Sequence, residues 1–253
     1  MVKSLQSIAC IGLLIGAGLT ACQQHTLKAD QPAVEQEPAE KKPAPEPGMA
    51  EMKGHAMMAL PVEKRVAFMS GHVVAGLALF RAGAPDQAAK HLLHPVSETH
   101  QAERAGIDAL GFTPKVFEAV SKALDDGRPA AEVEPMLQAA ERNMALLQKN
   151  AGGEPHEIIR YLMDTVVEEY TVGVKKGAIT DPGEYQDAFG FSVVALRIAK
   201  SMGADGSQTT TAHLEALVAL WPKGGPLADS KPTPVAKVVE HTAKVVQSLS
   251  ARP

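Results

Sequence analysis

The sequence predicts an all-α fold, a helical-hairpin bundle of about eight or nine helices that follows a disordered tether. Three observations carry this. Apolar residues recur at helical spacing from about residue 62 onward. Helix start and stop residues bracket those segments. No stretch sustains the two-residue alternation of a half-buried strand between turn signals.

The elements follow in order. Val66, Met69, Val73, Leu77 and Phe80 form one stripe over 62–82, and Gly83 stands where a left-handed C′ residue is wanted. A short helix is expected over 85–94, because the ring of Pro95 clashes with the preceding turn. Pro95 then suits the first position of a helix over 96–110. Thr113-Pro114 reads as an N-cap with proline at the first helical position, opening 114–126, and Gly127 closes it. A helix over 132–150 ends before Gly152. Ile159, Leu162, Met163, Val166, Tyr170 and Val174 make a second stripe over 155–176, with Gly177 as its C-terminal glycine. Asp181-Pro182-Gly183-Glu184 resembles a capping box and opens 182–202, which Gly203 closes. Helices over 208–221 and 234–250 complete the set, the last opened by Thr233-Pro234.

Ahead of the helices the composition changes twice. Lys3 and the apolar run Ile8–Gly18, too short to span a bilayer, read as a signal peptide over 1–21. It closes on Leu19-Thr20-Ala21-Cys22, which looks like the lipobox of bacterial lipoproteins. That resemblance implies cleavage before Cys22, acyl chains such as palmitate on this residue, and durable membrane anchoring. Gln23 after the cysteine resembles outer-membrane sorting, with the protein facing the periplasm. Residues 22–60, rich in Pro, Glu and Ala, lack apolar bulk to offset ordering entropy and read as a disordered linker; 61–253 form the helical domain. The only other cysteine, Cys10, lies in the signal segment, so dithiol redox chemistry, thiolate zinc sites and c-type haem are excluded for the mature chain. The formal net charge of −4 comes without a basic patch, which argues against nucleic acid as a partner.

Two helical families share patterns with the domain. Gly76, Leu77, Phe80, Gly83, Pro85 and Ala88 resemble one tetratricopeptide hairpin, whose small residues permit close helix packing; no second copy follows at the repeat period. Tyr170, Val174, Gly177, Ile179, Glu184, Tyr185 and Phe191 resemble the helical periplasmic domain of FTR1-type iron permeases. The chain lacks that family's membrane domain, so the resemblance implies a soluble accessory to iron transport. The same residues also read as the core and C-cap of a helical hairpin.

Candidate chemistry centres on Lys90–Glu103. His91 and His94, three apart, share a face at one helix end, while Glu98, His100 and Glu103 follow Pro95. Imidazole with carboxylate suits iron, zinc, manganese or copper(II). His100 and Glu103 form His-x-x-Glu, similar to the motif of imelysin-like iron-uptake proteins. Helix-end polarity explains part of the cluster without a ligand, since imidazolium is favoured at a helix C-terminus and acid at an N-terminus. Met49, Met52, His55, Met57 and Met58 make a second metal candidate, soft ligands for copper(I), or else the docked start of the first helix. Glu168, Glu169 and Glu184 form a possible acidic site, with Glu169 nearest the apolar stripe. His72 lies on the first apolar helix and reads as half buried and hydrogen-bonded. No nucleophile with an acid–base partner is legible, so no catalytic residue is expected.

The leading expectation is a non-enzymatic envelope lipoprotein that binds or relays iron, or copper, beside an uptake component. The alternative is a lipid-tethered helical interaction module without ligand chemistry. Replacement of Cys22 by serine is expected to abolish incorporation of radiolabelled palmitate and move the chain from the membrane to the soluble fraction.

Overall fold

In a computed structural model, residues 59–97 and 104–250 are described. Among the described residues there are eight α-helices: α1 Val62–Arg81, α2 Pro85–Leu93, α3 Pro114–Asp125, α4 Ala130–Ala151, α5 Pro155–Gly173, α6 Pro182–Ser201, α7 Ala204–Val218 and α8 Val235–Ser250. None of the described helices is long and apolar enough to cross a membrane.

The first stripe does what its spacing predicts, and α1 is buried on more than one face. Val66, Met69, Val73 and Leu77 pack with α2, α3 and α4 in one apolar cluster. Ala67 and Val74, on another face of the same helix, belong to a second cluster built from α5, α6, α7 and α8. α1 is therefore shared by two apolar clusters, one with α2–α4 and one with α5–α8, and burying it from both sides draws on the roughly 25 cal/mol per Å² of apolar surface removed from water. The second stripe holds equally: Ile159, Leu162, Met163, Val166 and Tyr170 are buried along α5.

Glycines set how closely the helices approach. A Cβ placed on Gly190 of α6 would overlap the backbone carbonyl of Gly71 in α1, and one on Gly71 would run into the ring of Phe191. On the next turn of α1, a Cβ on Gly76 would lie 2.7 Å from Leu92 Cγ and 3.1 Å from the Ala88 carbonyl oxygen of α2. This is the close packing expected from the small residues of that hairpin.

Four local expectations are corrected. No helix spans 96–110 among the described residues. Pro95 lies within a single 3₁₀ turn, His94–Val96, after which Ser97 is extended (ψ 146°). Farther on, Asp108–Leu110 forms a 3₁₀ turn between Gly106 and Gly111, whose φ values of 79° and 95° a right-handed helix does not allow. Gly177 is not a helix cap. α5 stops at Gly173, and Val174–Lys175 (β1) pairs antiparallel with Ala178–Ile179 (β2). Lys176 and Gly177, with φ of 54° and 77°, form the two-residue turn between them. Thr113 and Thr233 precede helices but do not cap them: Thr113 Oγ1 turns back to the Gly111 carbonyl, and Thr233 Oγ1 donates to the Leu220 carbonyl at 2.7 Å. Asp181 does cap, accepting the Gly183 N–H at 3.1 Å.

Because what a Gly190 side chain would meet is backbone, it cannot be relieved by a rotamer change. Gly190→Ala is expected to destabilise the fold by about 3 kcal/mol, the upper end of ordinary overpacking costs, measured by urea unfolding.

Candidate metal centre

The α1–α6 crossing places His72, which follows Gly71, against Asp187, one turn before Gly190. The α1–α2 contact at Gly76 brings His91 to the same carboxylate. His72 Nδ1 lies 2.6 Å and His91 Nδ1 2.8 Å from Asp187 Oδ1. All three residues are buried, at 4, 6 and 7% exposure. One ligand atom from each lies within 4.8 Å of the others, so the trio could hold a metal ion. Its two imidazoles and one carboxylate are the donor set of iron, zinc, manganese or copper(II), not of magnesium or calcium.

Surrounding groups fix the rings. His72 is met edge-on by Phe68 (centroids 4.7 Å) and Phe191 (5.3 Å), and face-on by His94 (3.5 Å, planes 14° apart). His91 Nε2 lies 2.8 Å from Gln186 Oε1. The Gln186 amide nitrogen donates to Gln87 Oε1, which also accepts the Ala228 N–H at 3.2 Å. The loop between α7 and α8 is tied down beside this chain: Tyr170 Oη donates to the Thr233 carbonyl (2.7 Å), and Trp221 Nε1 to that of Tyr185 (3.3 Å).

Electrostatics oppose burial here. Burial alone would raise the Asp187 pKa, but His72 and His91, through charge and hydrogen bonds, hold it far below the usual carboxylate range. Burial would lower that of His91. The Asp187 carboxylate, hydrogen bonds to Asp187 and Gln186, and the charge of Glu184 outweigh this and hold it above its ordinary value. Pairing thus favours the protonated form of His91 and the ionised form of Asp187 in a dry setting.

The structure redistributes the residues singled out in the sequence. His91 and His94 do come together, and the residue that links them is His72, buried rather than half buried. Glu98, His100 and Glu103 lie outside the described residues, as do Cys22, Met49, Met52, His55, Met57 and Met58. Glu169 is buried as its position suggested, and Glu168 is exposed. The buried acid that faces a histidine of Lys90–Glu103 is neither of these but Asp187, which the sequence reading passed over. A signal existed: Asp187 heads the stripe that continues through Phe191 and Val194, and a charged residue at the head of a buried stripe needs a partner.

Residues 152–252 match the family model described as the iron permease-associated 4-helix bundle domain. That segment holds α5 to α8, and it agrees with the resemblance carried by Tyr170, Val174, Gly177, Ile179, Glu184, Tyr185 and Phe191. It includes Gln186 and Asp187 and excludes His72, Gln87, His91 and His94. No curated protein and no solved structure matches the chain.

The charged pair makes stability depend on pH. Asp187, depressed in the fold, contributes above the usual carboxylate range and is lost as pH falls through its lower folded value. His91, raised in the fold, contributes fully below about pH 6.5 and is lost as pH rises through its folded value. Unfolding free energy from urea titrations is therefore expected to decline as pH rises above about 6.5 and through the raised folded value of His91, and to do so less in His91→Gln.

Proposed function

We propose that the chain is a non-enzymatic accessory to an iron-uptake system, anchored through lipid on Cys22 at the periplasmic face of the outer membrane, and that it binds a transition metal, iron, at the His72–His91–Asp187 cluster. The link to iron uptake rests on the match of residues 152–252 to the iron permease-associated domain. The observation that carries metal binding is the buried meeting of two imidazoles and a carboxylate from α1, α2 and α6.

The chemistry of the cluster supports this reading over a purely polar plug. A buried ion pair gives little net stability relative to apolar packing, because desolvating both groups offsets their attraction. A cluster kept for stability would be better replaced by apolar residues. One kept for metal needs neutralising charge, nitrogen donors and exclusion of competing water, all of which these residues supply. When bound, iron supplies a cargo to be passed on rather than a reaction. His94 is half-buried and stacks on the face of His72.

Full-length chain purified in detergent and exposed to iron(II) is expected to retain about one ion per chain by elemental analysis, and His72→Ala to lose it. Equal metal content in the two proteins would overturn the assignment.

A further inference from the structure

The three clustered side chains are not equivalent as metal ligands, and their hydrogen bonds say which one is poised. The Ala228 backbone N–H can only donate, so Gln87 Oε1 is its acceptor. The Gln186 group facing that same oxygen must then be the amide nitrogen. This leaves Gln186 Oε1 toward His91 Nε2, which must carry a proton to bond it. His91 Nδ1 faces the ionised Asp187 carboxylate and must carry one too. Both nitrogens of His91 are therefore donors, and His91 has no lone pair to give a metal while this chain of bonds stands.

His72 differs. Its Nδ1 donates to the same carboxylate oxygen. Its Nε2 is fully buried and has no hydrogen-bond partner among the described residues. In the neutral ring that atom holds a lone pair in a dry setting, where an unsatisfied polar atom is costly. Phe68, Phe191 and His94 hold the ring plane. A buried nitrogen, oriented by a carboxylate on its other ring nitrogen and aimed at no donor, is the arrangement by which acids prepare a histidine for a metal.

We infer that the metal binds on the Nε2 side of His72, beside His94, and that Asp187 and His91 position this ligand without coordinating the ion. This rests on the reading that the cluster holds a metal, and it changes the role of two of its three members. Asp187 keeps Nδ1 protonated and the ring fixed, and His91, donating from both ring nitrogens, sits as the counter-charge to Asp187. The occupant is an ion of the imidazole-preferring class, such as iron(II), cobalt(II) or zinc(II), rather than a hard oxygen-seeking cation.

Two measurements on the full-length chain test this. In the first, cobalt(II) is titrated and its visible ligand-field bands are followed. Native chain is expected to bind. Asp187→Asn is expected to bind with the same band pattern but about 10–100-fold more weakly, as loss of a ligand-orienting partner does. Abolished bands, or a changed pattern, in Asp187→Asn of native-like circular dichroism would make Asp187 a ligand and overturn the inference while leaving metal binding intact. No cobalt(II) bands in the native chain would overturn metal binding itself, and the inference with it. The second measurement needs no variant. Nitrogen-15 spectra of the zinc(II)-loaded native chain are expected to show the His72 Nε2 resonance shifted by metal while Nδ1 keeps its proton. A shifted Nδ1 with a protonated Nε2 would place the ion inside the cluster and refute the proposal.

Discussion

The contact on which the rest depends is the meeting of α1 and α6 at Gly71 and Gly190, where one backbone touches another. Helix axes ordinarily stand 8–10 Å apart because side chains intervene. Here neither helix has one at the crossing, and Phe191 fills the space that Gly71 leaves. The neighbours of these glycines are consequently placed with little freedom. His72 is adjacent to Gly71, and Asp187 lies one turn from Gly190, so their 2.6 Å contact follows from where the helices cross. Gly76 repeats the device against Ala88 and Leu92 of α2 and so delivers His91. Two bare positions on one helix recruit the side chains of two others.

A carboxylate brought this far inside must be compensated. Two imidazoles meet Asp187 Oδ1, and a glutamine pair links the second N–H of His91 to the Ala228 N–H through hydrogen bonds that converge on Gln87 Oε1. Breaking such a buried pair by removing one partner typically costs about 3–5 kcal/mol. The loop between α7 and α8 belongs to this arrangement, since its Ala228 N–H sets the direction of every amide in the chain. The metal-binding reading and the fold are therefore coupled through one carboxylate: the group that must be satisfied for the protein to fold is the group that orients His72.

Most of the helical architecture was legible in the residues. The stripes on α1 and α5 depend only on period, and the Gly83 and Asp181 boundaries on local backbone chemistry, so neither needed tertiary knowledge. Where reading failed, a long-range contact or a competing local structure had decided. Gly177 looked like a helix end, but the hairpin turn at Lys176-Gly177 claims the same positive φ. Thr233 looked like a cap, yet its hydroxyl reaches the Leu220 carbonyl, thirteen residues away. Of the site, His91 and His94 could be picked out by their spacing. His72 and Asp187, 115 residues apart, could not be joined by any pattern along the chain. Only the glycine crossing does that, and a glycine inside a helix does not announce which helix it will meet.

The boundary of the matched segment acquires a meaning from this geometry. Residues 152–252 contribute the acid and one amide, whereas every imidazole of the cluster is contributed by helices encoded before that boundary. Within the matched segment Asp187 meets neither of its imidazoles, which reach it from α1 and α2. In this chain the segment supplies a socket, and the helices before residue 152 supply the imidazoles that are plugged into it.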